Sequence, residues 1–243
     1  MQRRIVLVDF DGVVLKNKTA GNYIKTKVER FVQKVTPIKD PKLAEIYNKE
    51  LYTSHGHTLI GLRKHGCDVS LTEFNEYVYG DTRCYSDLIM EDNELKEWRL
   101  FCDNIKNCNY EIKLFSNSGT EWMSHFLKND VDTDLLEFQN YLDKYRYQPI
   151  YNSLLKPKRE IYDLFMSYYT KSSYYFIDDK ISNFEYIQYD PRWIKIWFTC
   201  SDGWGRSGSG SGSGSGILQL SEKYYAVSSL YDVSLLLSKN VKI

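Results

Sequence analysis

Apolar positions in this chain follow two rhythms. Four short runs, RIVLVDF (4–10), YEIKLFS (110–116), SYYFIDD (173–179) and WIKIWFT (193–199), are largely apolar and rich in β-branched or aromatic residues. That is the pattern of strands buried on both faces. Helical spacing marks TEWMSHFLKND (120–130), PKREIYDLFMSYY (157–169) and ISNFEYIQ (181–188), interleaved with those runs. Such alternation predicts an α/β fold with a parallel sheet covered by helices on both sides. From residue 17 to residue 107 no clear strand pattern occurs. NYIKTKVERFVQKV (22–35), DPKLAEIYNKELYTS (40–54), SLTEFNEYVYG (70–80) and NELKEWRLFCDNI (93–105) have helical spacing instead. A helical insertion directly after the first strand is therefore expected.

One stretch breaks both rhythms. GRSGSGSGSGSGI (205–217) alternates Ser and Gly strictly, a flexible-coil composition with no capacity to form a core. The rest of the chain is rich in Lys, Asn and Tyr. Residues 206–216 read as an engineered linker in place of a loop, with a natural low-complexity loop as the alternative, and stand outside the fold. YYAVSSLYDVSLLL (224–237) then predicts a short strand and a helix of the main domain. The expected division is a core of residues 1–16 and 108–243 and a helical cap of residues 17–107.

Composition narrows the class without choosing a function. Hydrophobic content of 42% with 26% charged residues is that of a globular protein. Lysine and arginine total 32 and aspartate and glutamate 32, so no net charge favours nucleic acid or an anionic membrane. No apolar run has the length of a transmembrane helix. The run after Arg3 and Arg4 stops at Asp9, too short for a signal peptide. Five cysteines show no CxxC or zinc spacing and read as reduced thiols of an intracellular, cytoplasmic protein.

Chemistry collects at the predicted strand ends, where open parallel sheets bind ligands. The first strand delivers Asp9 and Asp11, the second Ser116, the third Asp178 and Asp179. LLKPKREIY supplies Lys156, at an apparent helix start with Pro157 in the first turn. A turn rich in Asp and Gly is the plain alternative for DFDG. Clustered carboxylates at a buried strand end are costly unless paired or bound to a metal. Mg²⁺ takes one or two carboxylates together with water and phosphate oxygens. Asp9 suits a nucleophile that forms an aspartyl-phosphate, and Asp11 a proton donor and acceptor. Ser116 and Lys156 suit stabilisation of a transferring phosphoryl group.

These residues resemble the motifs of the haloacid dehalogenase (HAD) superfamily of phosphohydrolases. DFDGVV is similar to its first motif, LFSNS to the second, LKPKREIY to the lysine motif and FIDDKISNF to the acidic fourth motif. The resemblance implies a Rossmann-like core with an inserted helical cap of the C1 type. It also implies a Mg²⁺ site at Asp9, Asp11 (through its backbone carbonyl) and Asp179, with Asp178 beside it. Asp9 would be the nucleophile and Asp11 the acid/base.

LYTSHGHTLIGLRKHGCDVSLTEFNEYVYGD (51–81) is similar to the cap of the pyrimidine 5′-nucleotidase branch. Two features depart from that branch: the first motif ends in GVV, and His125 comes late after the second motif. The implied substrate is a nucleoside monophosphate or another small phosphate ester, with Asn117, His57 and Arg63 as candidate binding residues. A solvated helix face is the alternative for Arg63. His55, His57 and His65 lack the partners that would complete a metal site, and Tyr168, Tyr169, Tyr174 and Tyr175 read as packing between helix and sheet. Lys158 is a second candidate for the role given to Lys156. Two other functions remain open: a metal-independent hydrolase of dehalogenase type, and a non-catalytic binding protein on the same fold.

Overall fold

A computed structural model describes residues 3–80, 82–127, 134–146, 154–199 and 216–239. The Ser/Gly segment lies outside them, apart from Gly216. Six strands form one sheet: β1 (Arg3–Val8), β2 (Glu111–Leu114), β3 (Ser172–Asp178), β4 (Trp193–Phe198), β5 (Leu218–Ser221) and β6 (Tyr224–Val227). Their order is β2-β1-β3-β4-β6-β5. All neighbours are parallel except β5 and β6, which are antiparallel. The four expected strands and the YYAV strand are present. β5 adds to the expected strands, and all four of its residues are exposed.

The apolar run of β1 has a simple cause. Val6 and Val8 enter the cluster on one face of the sheet, while Ile5 and Leu7 enter the cluster on the other. Helices α5 (Asp92–Asn107), α6 (Thr120–Leu127) and α9 (Leu230–Lys239) cover the first face. Helices α7 (Glu137–Arg146) and α8 (Arg159–Tyr168) cover the second, together with a 3-10 helix at Ile181–Ile187. Among the described residues no helix is long and apolar enough to cross a membrane.

Three local expectations change. ISNFEYI forms 3-10 turns rather than an α-helix. There Asn183 is held from both sides: its Nδ2 donates to Asp178 Oδ2 (2.8 Å) and its carbonyl accepts from Tyr162 Oη (2.5 Å). Pro157 is not in the first turn of α8, which starts at Arg159 with Lys158 as its N-terminal flank; the Lys156–Pro157 peptide is cis. Helix α7 and a short helix at Thr58–Lys64 were not signalled by periodicity.

Between β1 and β2 run α1 (Lys18–Val35), α2 (Pro41–His55), α3 (Thr58–Lys64) and α4 (Leu71–Tyr79). Local signals set their ends. Asn17 and Asp40 cap α1 and α2 with side-chain oxygens, Pro41 opens α2, and Ser70 and Glu73 form a reciprocal capping box on α4. Gly56, at φ 74°, closes α2 in the left-handed region. These four helices share a separate apolar cluster that includes Phe31, Val32, Leu51, Leu59 and Phe74. Helix α5 differs, since its Trp98, Phe101 and Ile105 join the sheet-side cluster. We propose on this packing that α1–α4 constitute the cap and that α5 belongs to the core.

Register aligns the strand ends that matter. Val8 pairs with Leu114 on one side and with Ile177 on the other. The chain leaves β1 for β2 and later returns on its other side as β3, so the carboxyl end of β1 is a topological switch point. The cap lies over that end.

Candidate active site

Asp9 follows β1 directly, and its amide donates to Ile177 O (2.9 Å), which holds it level with the end of β3. Asp178 ends β3 and Asp179 follows it. One carboxylate oxygen each of Asp9, Asp178 and Asp179 lie within 4.8 Å of one another. The turn after Asp9 depends on Gly12. Its φ is 88°, and a Cβ there would stand 2.5 Å from Asp179 Oδ2.

Lys156 enters this cluster from the loop before α8. Its Nζ lies 2.7 Å from Asp178 Oδ2 and 3.0 Å from Asp9 Oδ1, in a side chain that is 1% exposed. The rings of Phe115 and Phe176 flank it at 5.5 and 5.3 Å. Burial opposes the ammonium charge, but the Asp178 and Asp9 carboxylates outweigh it and hold the lysine above its ordinary pKa.

The two adjacent acids differ in their partners. Asp178 accepts from Lys156 Nζ and Asn183 Nδ2 on one oxygen and from the Lys180 amide (2.9 Å) on the other. Asp179 Oδ1 is buried with no hydrogen-bond partner among the described residues. Burial pushes the Asp179 carboxyl up to about 7, with Asp178 and Asp9 adding to the effect and Lys180 opposing it. An orphaned carboxylate oxygen beside a second carboxylate is a donor set suited to a hard divalent cation. The residues present therefore fit Mg²⁺, with Asp9 and Asp179 the better-placed side-chain ligands. Asp178 already has its oxygens engaged by protein donors.

Asp11 is turned away from that cluster, so its side chain does not join the metal set. Ser118 Oγ donates to Asp11 Oδ2 and Trp122 Nε1 donates to Asp11 Oδ1 (2.9 Å). Burial raises the Asp11 pKa, and these two hydrogen bonds oppose the rise. A carboxyl group so shifted suits proton transfer. From the cap, Tyr79 brings its hydroxyl to 3.3 Å from Ser118 Oγ.

The remaining expected residues are placed as follows. Ser116 is buried, and its Oγ accepts from the Ser118 amide (3.2 Å). Asn117 clamps the backbone of Lys156: Nδ2 donates to Lys156 O (3.0 Å) and Oδ1 accepts from Lys156 N (2.8 Å). Its amide thus holds the lysine, and the side chain also borders the cavity described next. His57 flanks α3, accepts from Leu59 N through Nδ1 (3.2 Å), and lines the cavity described next. Arg63 does not line it. Its Nε reaches along the chain to Val69 O (2.8 Å), bracing the loop before α4. His65 is bonded to Tyr47 Oη (2.8 Å) and lies with His55 outside the cavity.

The cavity has a volume of ≈ 410 Å³. Its core side presents Asp9, Asp11, Ser116, Asn117, Lys156 and Lys180, and its cap side Ile24, Val28, Asn48, Tyr52, His57 and Phe74. Lys180 was not anticipated, although it directly follows the acid pair; its Nζ lies 4.6 Å from the centre of the Tyr52 ring. Tyr52, Tyr79, Ser118 and Trp122 were also missed. Only the docking of the cap on the core brings Tyr52 and Tyr79 to this site, and no local pattern announces that.

No protein-family model matches the chain, and no curated protein matches it in sequence. Solved structures do match in fold. One is a HAD phosphatase from Thermococcus onnurineus, at 13% identity over 96% of this chain and 97% of its own, with a TM-score of 0.51. Another is YfnB from Bacillus subtilis, assigned to the HAD hydrolases and solved with magnesium, at 13% identity over 98% and 100% of the two chains and a TM-score of 0.54. A family IA, variant 3 HAD hydrolase from Entamoeba histolytica gives 15%, 99% and 100%, and a TM-score of 0.53. At these identities the likeness establishes the fold, which is that of the HAD hydrolases.

Proposed function

We propose that the protein is a Mg²⁺-dependent phosphomonoesterase acting through an aspartyl-phosphate. The observation that supports this most is that Asp9 and Lys156 line one cavity together, with the carboxylates of Asp178 and Asp179 clustered beside Asp9. Asp9 attacks phosphorus in line, and the bond from phosphorus to the ester oxygen breaks. Asp11 gives its proton to that oxygen, and the alcohol leaves. Water then attacks phosphorus, Asp11 takes a proton from it, and inorganic phosphate departs with Asp9 restored. Ser116 and Lys156 orient the phosphoryl group and balance its charge. A bound Mg²⁺, held by Asp9 and Asp179, supplies further charge neutralisation on the phosphoryl oxygens. The solved relative YfnB, described as bound to magnesium, is in keeping with this choice of ion.

The substrate in this reading is a nucleoside monophosphate or a similar small phosphate ester. His57, Phe74 and Tyr52 on the cap side offer aromatic contacts to a base or ring. Phosphate release from a panel of monoesters, with Mg²⁺ and with a chelator, tests the proposal. Metal-dependent release supports it. Halide release from haloacids without metal points to the dehalogenase reading, and no release of either kind to a binding protein.

A further inference from the structure

Asn48 stands out among the polar side chains of the cap. It lies within α2, is 9% exposed, and shares its helix face with the buried Ala44 and Leu51. A buried amide among apolar neighbours destabilises unless its groups find partners. One end does. Thr58 Oγ1, on the 4%-exposed first residue of α3, donates to Asn48 Oδ1 at 2.7 Å. The other end, Nδ2, has no acceptor among the described residues, and Asn48 lines the cavity that opens on Asp9. With Thr58 donating to Oδ1, the amide leaves its Nδ2 donor open to whatever occupies the cap end.

The surroundings define that occupant further. Ile24, Val28 and Phe74 supply apolar walls. Of the cap lysines at the cavity, Lys25 is paired with Glu45 (2.5 Å) and Glu29 (3.7 Å), and Lys49 is exposed beside Glu45. Among the described residues these cap lysines thus face the carboxylates of Glu45 and Glu29, which weakens the pull of the cap end on a second anionic group.

We propose that Asn48 is a specificity-determining residue, donating from Nδ2 to a hydrogen-bond acceptor on a neutral, otherwise apolar leaving alcohol. This rests on the phosphomonoesterase reading. It narrows that reading to alcohols with one acceptor, such as a ring nitrogen or carbonyl, several bonds from the phosphate, and it disfavours alcohols carrying a carboxylate or a second phosphate. A site that donates a buried hydrogen bond discriminates against analogues lacking the acceptor, because its own donor is then left unpaired.

The test compares benzyl phosphate with the three pyridylmethyl phosphates and with 4-carboxybenzyl phosphate at pH 8, where the pyridines are neutral. The alcohols are of similar size. The wild type is expected to favour at least one pyridylmethyl ester over benzyl phosphate by about tenfold in kcat/KM, and to turn over the carboxybenzyl ester least. Asn48→Leu should erase the pyridyl preference, read as the ratio of kcat/KM for the pyridylmethyl and benzyl esters. Asn48→Asp, which replaces the donor with an acceptor, should erase it too. Thr58→Val keeps the shape and frees the amide, so it should reduce the preference in part, and it carries the test should Asn48→Leu fail to fold. Turnover of benzyl phosphate with an unchanged pyridyl ratio in Asn48→Leu and Thr58→Val would overturn this assignment alone. No turnover of any ester by the wild type would overturn the phosphatase reading, and this one with it.

Discussion

Leu155 and Lys156 are neighbours in sequence, yet their side chains are buried in different places. Leu155 packs into the cap cluster with Phe31 and Phe74, while Lys156 reaches between Asp9 and Asp178. Pro157 continues the contact: a Cβ on Gly56 of the cap would stand 2.7 Å from its Cδ. The cap thus rests on the same tripeptide that delivers the lysine. Leu155→Ala should cost about 2–5 kcal/mol of stability through the cavity it leaves. It should also lower kcat for every ester, because the lysine loses its anchor. Urea unfolding and kinetics on one protein preparation check both; unchanged kcat at reduced stability would uncouple the cap from Lys156.

Asp9→Asn should abolish phosphate release, by at least about a thousandfold, because an amide is a poor nucleophile. The fold should persist, with circular dichroism like that of the wild type. Wild-type turnover by this variant would exclude the mechanism.

Asp178 and Asp179 should separate in a stability measurement. Asp178→Asn leaves buried Lys156 short of a charge partner and should destabilise by about 3–5 kcal/mol. Asp179→Asn removes a carboxylate with one buried oxygen that has no hydrogen-bond partner among the described residues. Its pKa of about 7 in the fold lies above the ordinary aspartate value, so the folded state binds the proton more tightly. Metal-free stability from this group therefore falls as pH rises from the ordinary aspartate range to about 7, and Asp179→Asn should lack that decline. Mg²⁺ should raise the thermal midpoint of the wild type and not of Asp179→Asn. Thermal unfolding from pH 4 to pH 8, with and without Mg²⁺, reads all of this.

His57 lines the cavity and Arg63 does not. His57→Ala should shift the ratio of kcat/KM values among esters while sparing p-nitrophenyl phosphate. Arg63→Ala should leave the ratios alone and lower stability by about 1 kcal/mol through its lost bond to Val69 O. A changed ester preference in Arg63→Ala would count against this placement.

Both oxygens of Asp11 are taken by Ser118 and Trp122. If those bonds position a proton donor, Trp122→Phe and Ser118→Ala should slow alkyl phosphates more than p-nitrophenyl phosphate, whose leaving group needs little protonation. A loss of roughly tenfold on alkyl esters, with little on the nitrophenyl ester, is expected. Equal losses on both would reduce the two residues to packing.

Much of this architecture is local and so is legible along the chain. Ile5 to Val8 are consecutive apolar residues because successive side chains of a strand face opposite sides and both sides are covered. The acids at Asp9 and Asp178–Asp179 are visible because they end such runs, and Ser70, Glu73, Asn17 and Asp40 mark helix starts within a few residues of themselves. Side-chain direction is not local in this sense. Asn117 turns to the Lys156 backbone, Arg63 to Val69 O, and Asp11 to Trp122, each choosing among donors and acceptors that only packing brings within 3 Å or so. The cavity's cap side depends on α2 and α4 docking over strands far away in the sequence. Whether an amide such as Asn48 is satisfied or left open is decided there, by which hydrogen-bonding groups the folded chain places beside it and which it withholds.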